Sequence, residues 1–105
     1  MSYSLIETDI AVSVLQNIRL VLITPKGSDV HRPEFGSDLY KYVDNPTTEL
    51  LKGEMKAEVI DVVELWEPRA TVVAVEITIS SAAGITVYIE VDVDGQLIYE
   101  NIKVA

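Results

Sequence analysis

Hydrophobic residues near the N-terminus recur at helical spacing. Polar residues fill the positions between them, as expected for a helix with one face in a core. The apolar stripe consists of Ile10, Val14, Leu15, Ile18, Val21 and Leu22. Thr8 or Asp9 can cap its start, and Pro25 prevents its continuation past about Thr24. The pattern predicts an amphipathic core helix from Thr8 to Ile23.

A second helical pattern occupies the middle of the chain. Its apolar stripe consists of Leu51, Met55, Val59, Val62, Val63 and Trp66. Asn45 is the predicted cap and Pro46 the first helical residue, where a missing N–H costs nothing. Pro68 stops the helix, because the residue before a proline is pushed out of the α region.

The last third of the chain alternates apolar and polar residues with the period of a β-strand. The apolar positions are Val73, Val75, Ile77 and Ile79 in one strand and Ile85, Val87, Ile89, Val91 and Val93 in the next. Asp94-Gly95 predicts a two-residue hairpin, and "LIYENIKV" follows as a third strand. Glu100 falls on the apolar side of this third strand, which leaves its phase open. The pattern predicts a three-stranded antiparallel meander.

Between the two helical patterns, "TPKGSDVHRPEFGSDLYKYVDNP" is rich in turn-forming residues and predicts a shaped loop. A short helix from Ser37 to about Val43 is expected within it, capped by Ser37, with Leu39, Tyr40 and Val43 turned inward. The predicted fold class is α+β, with two long helices and a short helix packed on a three-stranded antiparallel β-meander. A chain of 105 residues fits a single domain, residues 1–105.

Charge and composition narrow the functional classes. Seventeen acidic residues against eight basic ones give a net charge of −9, and the basic residues are scattered singly. No nucleic-acid partner is therefore expected, because a duplex-coating protein needs a clustered basic footprint. Arg19 interrupts the longest apolar run, "IRLVLIT", so no membrane partner is expected either. The absence of cysteine and of a signal-peptide pattern favours the cytosol, or a particle assembled there.

The residue types that carry catalysis do not form a specific pattern. His31 is the only histidine, so no second histidine is present to complete a metal site. No serine lies in the GxSxG pattern of a nucleophile elbow, and no glycine-rich phosphate loop follows a strand. Paired carboxylates for glycoside hydrolysis, such as Glu34 with Glu67, are available simply because the chain is acidic. The sequence therefore favours a protein that is not an enzyme and has no catalytic, cofactor or metal site.

Glu67, Pro68 and Arg69 stand at the junction of the second helix and the first strand. Pro68 is explained by the need to stop the helix, but its two charged neighbours are not. Arginine presents a planar fork suited to a carboxylate or to backbone carbonyls at an interface. Two interpretations have equal support: a structural pair between Arg69 and a loop acid such as Glu34, or an interface contact. In the second, truncating an exposed Arg69 changes stability little.

Two motifs resemble a known family over essentially the whole chain. "TPKGSDVHRPEFGSDL" is long and specific, and "WEPR" lies about twenty residues beyond the loop that contains it. Both are similar to the gpW-like baseplate wedge family of contractile phage tails, which includes the TssE component of type VI secretion and tailocin wedge proteins. Alanine follows the arginine here, where the family often has a larger apolar residue. The short N-terminus favours a phage or tailocin origin over a secretion system.

The resemblance implies a structural protein present in several copies in a symmetric virion or tailocin baseplate, assembled in the bacterial cytoplasm. The implied partners are other baseplate wedge subunits and the tail sheath protein, whose assembly it would nucleate. Glu67, Pro68 and Arg69 would form an assembly contact. The loop residues of "RPEFG" are expected nearby as part of the same protein-binding site, namely Arg32, Pro33, Phe35 and Gly36. The alternatives are a cell-wall hydrolase of the tail-lysozyme kind and an anti-adaptor-like module that binds a response regulator.

Overall fold

The computed structural model describes residues 2–42, 48–80 and 84–104, with residues 2–9 described by their backbone only. Helix α1 and helix α2 are joined by a loop that contains a 3₁₀ helix, and the strands β1 to β3 follow. The elements are α1 (Ser2–Ile23), the 3₁₀ helix (Leu39–Tyr42), α2 (Glu49–Trp66), β1 (Thr71–Ser80), β2 (Gly84–Val93) and β3 (Gln96–Lys103). The strands pair antiparallel in the order β1-β2-β3. An α+β fold with two long helices and a three-stranded antiparallel meander is confirmed.

Helix α1 begins earlier than its capping signal predicts. It starts at Ser2, so Thr8 and Asp9 lie inside the helix and the predicted caps are wrong. In the sequence, Ile6 stands four residues before Ile10, so the helical spacing continues toward the N-terminus beyond the polar residues Thr8 and Asp9. At the other end, the Thr24 N–H donates to the Leu20 carbonyl at 3.1 Å, and the chain then leaves the helix at the proline.

Helix α2 begins at Glu49, with Thr48 as its N-cap. The Thr48 hydroxyl accepts a hydrogen bond from the Leu51 N–H at 3.0 Å and so satisfies one of the free donors of the first turn. The prediction of a start at Pro46 is therefore wrong, and Asn45 and Pro46 themselves lie outside the described residues. The helix ends where predicted, one residue before Glu67.

The loop segment predicted as a short helix from Ser37 to about Val43 contains a four-residue 3₁₀ helix. Leu39 is buried as expected, whereas Tyr40 is exposed, and Val43 lies outside the described residues. Ser37 does not act as a helix cap. Its buried hydroxyl donates instead to the Leu22 carbonyl at 2.9 Å, which fastens the loop to the end of α1.

The sheet has one face toward the helices and one face away from them. In β2 every second residue from Ile85 to Val93 is buried, which gives the predicted alternation. In β1 the register shifts between Val72 and Ala74, and Val73 is 54% exposed. The prediction that Val73 lies on the apolar face is wrong, because one extra residue in a strand reverses the phase of the side chains before it.

The open question about β3 is resolved by an ion pair. Glu100 lies on the inner side of the strand, between half-buried Ile98 and buried Ile102. Its carboxylate reaches the Arg19 guanidinium of α1 at 3.1 Å. The acid therefore sits at the margin of the core, where a cation from the packed helix accompanies it.

One cluster of buried hydrophobic side chains lies between the helices and the inner face of the sheet. It draws on both predicted helical stripes and on all three strands, and Phe35 joins it from the loop. No helix in the described part of the chain has the length and apolar character needed to cross a membrane. The core therefore fixes the end of α2 against α1 and the loop, where the candidate site lies.

Candidate functional site

A buried carboxylate and an arginine form a two-point pair at the end of α2. The side chain of Glu67 is buried, although it belongs to the first residue after the helix. Arg69 Nη2 donates to Glu67 Oε1 at 2.6 Å, and Arg69 Nε donates to Glu67 Oε2 at 2.9 Å. The Arg69 N–H adds a contact of 3.2 Å to Oε2. Pro68 closes the tight turn that brings the two side chains together.

Helix α1 supplies the other contacts of this pair. Asn17 Nδ2 donates to the Trp66 carbonyl at 2.9 Å and to Glu67 Oε1 at 3.3 Å. The first bond satisfies a carbonyl of the last turn of α2, which has no partner within the helix. Arg69 Nη2 also donates to the Ser13 hydroxyl at 3.3 Å. Two polar residues one turn apart on α1 therefore hold the turn in place.

The charge state of the pair follows from these contacts. Burial by itself raises the pKa of Glu67, but the hydrogen bonds and charge of Arg69, with help from Asn17, outweigh it and lower the pKa below its ordinary value. The hydrogen bond from the guanidinium to Glu67 raises the pKa of Arg69. Both groups are therefore ionised at neutral pH. The Arg69 side chain is 48% exposed, whereas that of Glu67 is 2% exposed.

The loop meets this turn through two aromatic rings. Phe35 is buried and packs edge-on against Trp66, with ring centroids 5.1 Å apart and an interplanar angle of 73°. The Arg32 guanidinium carbon lies 4.1 Å from the centroid of the Phe35 ring, which is a cation–π distance. The expected proximity of the "HRPEFG" loop and "WEPR" is thus present.

Arg32 is held over the ring by a turn at Asp29. The carboxylate of Asp29 accepts the N–H of His31 at 2.9 Å and the N–H of Arg32 at 3.2 Å. The backbone hydrogen bond from His31 lowers the pKa of Asp29, and the contacts with Arg32 act in the same direction. The Asp29 carboxylate also lies 3.4 Å from Arg32 Nε. This turn is what aims the Arg32 side chain back toward Phe35.

Gly36 allows the loop to close on the end of α1. Its φ is +121°, and a Cβ built there would lie 2.3 Å from the Thr24 carbonyl oxygen. The close approach serves two hydrogen bonds: the Ser37 N–H donates to the Thr24 carbonyl at 2.9 Å, and the Lys26 N–H donates to the Ser37 carbonyl at 3.0 Å. Only glycine fits both the backbone conformation and the space.

The predicted site residues divide into supporting and exposed groups. Glu67, Phe35 and Gly36 are buried and shape the site, whereas Arg32, Pro33, Pro68 and Arg69 are exposed at its surface. Arg69 pairs with Glu67, so the alternative of a pair with a loop acid such as Glu34 is wrong.

Sequence reasoning missed Ser13 and Asn17. Their spacing of four residues beside the apolar stripe was the available signal.

The described residues contain no group of three or more histidine or acidic side chains arranged to hold a metal ion. The site instead offers a rigid arginine, a second arginine stacked on a ring, and an apolar base. This combination is typical of a protein-binding surface.

Comparison with known proteins identifies the family. The sequence model described as baseplate wedge protein gp25 matches residues 8–101. The chain belongs to this baseplate wedge family. A curated relative, baseplate protein W of Escherichia phage P2, is 39% identical over 62 residues, which is 59% of this chain. The match spans 54% of that relative's length, about half of it.

Two solved structures share the fold over most of their length. A crystal structure described provisionally as a tail lysozyme from Geobacter sulfurreducens has a TM-score of 0.76 at 28% identity, covering 91% of this chain and 86% of that one. A cryo-electron microscopy structure of the pyocin R2 baseplate after contraction has a TM-score of 0.63 at 29% identity, covering 88% and 83%. The resemblance to phage and tailocin baseplate wedge proteins is confirmed.

Proposed function

We propose that this baseplate wedge protein is a structural joint that contacts neighbouring baseplate subunits through Arg69, Arg32 and the turn that carries them. The observation that carries the proposal is the buried Glu67 carboxylate beneath a half-exposed guanidinium. Such a pair fixes the orientation of Arg69 before any partner arrives, which lowers the entropy cost of binding. Arginines at the centre of an interface can each contribute about 2 kcal/mol or more.

The relatives support the assembly context of this proposal. One is a phage baseplate protein and another is part of a pyocin baseplate, so several copies in a symmetric assembly and other baseplate subunits as partners fit this chain. Within that context we assign assembly in the bacterial cytoplasm and a role in starting the tail sheath. We place the sheath contact on a second surface, because the proposal already uses the Arg69 turn for the neighbouring baseplate subunits.

The free edge of β3 is the surface that fits the sheath contact. β3 is an outer strand, since the order is β1-β2-β3. The Val104 N–H donates to the Ile85 carbonyl at 2.9 Å. Backbone groups of an antiparallel strand alternate in direction, so those of Leu97, Tyr99 and Asn101 point away from β2. They can accept an extended segment of a neighbouring subunit, which pairs through its backbone.

Proline at Asn101 tests this edge. Asn101→Pro removes an outward N–H, together with its 3.2 Å bond to the Glu100 carboxylate, but no bond to β2. Asn101→Ala removes the side chain but keeps the N–H. The expected result is normal incorporation of both variants into baseplates, with sheath growth lost only for the proline variant. Electron microscopy of particles and melting of the isolated chains provide the readouts. Normal sheath on particles that carry Asn101→Pro would show that this edge is not the joint.

A cell-wall hydrolase is the second candidate, and the likeness to the Geobacter structure makes it worth testing. A glycosidase acid needs a raised pKa so that it carries a proton at working pH. The pKa of Glu67 is lowered, and both of its oxygens accept bonds from Arg69. The chain's role is therefore structural in this proposal.

Purified chain is expected to leave peptidoglycan intact, measured by release of soluble muropeptides against a lysozyme standard. Turnover that is lost in Glu67→Gln, with the fold retained, would overturn the structural assignment.

A further inference from the structure

The outward face of the sheet carries a patch of side chains that neither the Arg69 turn nor the backbone edge of β3 uses. Its residues follow from the strand register, in which Glu76 pairs with Tyr88, Glu90 with Tyr99, and Asp92 with Leu97. All six side chains lie on the side opposite to the buried residues of their strands. These six residues are called the outer patch below.

The outer patch has an apolar and aromatic part, which lies on the edge strand β3 and on the neighbouring strand β2. Leu97 is 54% exposed and Tyr99 is 65% exposed. The rings of Tyr88 and Tyr99 lie with centroids 6.2 Å apart at an angle of 42°, and the Tyr88 hydroxyl donates to the Glu90 carboxylate. Tyrosine rings held on a sheet offer a large contact area with little entropy left to lose.

The charge of the outer patch is negative. Glu76, Glu90 and Asp92 lie beside the rings, and Lys56 lies 3.7 Å from Glu76. Lys103 is on the same face of the sheet, next to Asn101 at the border of the patch. The Asp92 carboxylate is fixed because it accepts the Gly95 N–H at 2.7 Å. Tyrosine faces attract cations, and the neighbouring carboxylates add direct ion pairs.

We propose that the outer patch docks a lysine- or arginine-rich segment of a neighbouring protein subunit. The cations of the segment would stack on Tyr88 and Tyr99 and pair with Glu90 and Asp92, while its apolar residues would cover Leu97. A second copy of this chain would bring the same acids against each other, because the chain carries −9 overall. Nucleic acid and anionic lipid would be repelled for the same reason.

This contact differs from the β3 edge, since it uses side chains on the face of the sheet rather than backbone groups at its border. It rests on the proposed baseplate role for its setting. Long-range attraction between the acidic face and a basic segment would also raise the association rate. This increase in rate becomes smaller as the salt concentration rises.

The test replaces two carboxylates by their amides. Glu90→Gln with Asp92→Asn keeps the shape and the acceptors for Tyr88 and Gly95 but removes two charges. The matched control, Glu54→Gln with Glu64→Gln, removes two charges from exposed positions of α2. At low salt, incorporation into baseplates is expected to fall at least tenfold for the patch variant and to stay unchanged for the control.

The two proposals fail in different ways. Equal losses in both double variants would mean that net charge causes the effect, which would overturn the proposal for the outer patch. Normal incorporation of the patch variant would overturn it as well. Absence of the unmodified chain from purified baseplates would overturn the proposed function itself. A photo-cross-linker in place of Tyr88, which lies on the central strand and away from the β3 edge, should join in assembled particles a peptide that contains at least two basic residues. A joined peptide without them would also overturn the proposal.

Discussion

Gly36→Ala is expected to lower the melting temperature by about 10–20 °C, because the added methyl group has no room in the loop. The new Cβ would lie 2.3 Å from the Thr24 carbonyl oxygen and 3.0 Å from the Lys26 nitrogen, and both atoms are backbone. A φ of +121° adds strain for any residue with a side chain. The loop must open to relieve the clash, which breaks the bonds between Ser37 and the end of α1.

Gly53→Ala is the matched control for this change. Gly53 lies inside α2, and nothing stands within 4 Å of its added Cβ. The same chemical substitution should therefore stabilise the chain by about 0.5–1 kcal/mol, because alanine loses less entropy in a helix. Thermal unfolding followed by circular dichroism measures both. A Gly36→Ala variant that melts within a few degrees of the unmodified chain would contradict the close approach at Thr24.

The elements were predictable where a pattern repeats, and less so at single positions. The stripe from Val14 to Leu22 and the alternation in β2 each repeat several times, so one ambiguous residue does not hide them. The start of α1 depended on one capping signal, and a polar pair can sit inside a helix as well as at its end. The bulge at Val73 leaves no mark in composition, because valine suits either face of a strand.

The location of the site was predictable from the sequence, but its hydrogen bonds and burial were not. "WEPR" stands out because the proline alone is enough to end the helix. The charged residues on either side of it therefore need another explanation. The hydrogen bond from Asn17 to Glu67 joins residues 50 positions apart, and a single sequence contains no information on that pairing. The burial of Glu67 was hidden for the same reason: a glutamate beside a proline at a helix end is ordinarily exposed.

The structure changes the expected result of truncating Arg69. Taken as an exposed side chain, Arg69→Ala should cost little, but its removal leaves the Glu67 carboxylate buried without its cation. Breaking a fully buried pair costs about 3–5 kcal/mol. The guanidinium is 48% exposed, so water can partly replace it. We therefore expect Arg69→Ala to lose about 2 kcal/mol of unfolding free energy, which urea denaturation measures.

A second variant separates this structural cost from recognition. Glu67→Gln with Arg69→Ala places a neutral amide where the carboxylate stood, and the amide needs no cation, so at least half of the lost stability should return. Both variants lack the guanidinium. If Arg69 is the contact to a baseplate neighbour, neither assembles, although the double variant has regained at least half of the lost stability. Particles that form normally with the double variant would mean that Arg69 serves only to neutralise Glu67, and that the joint lies elsewhere on the surface.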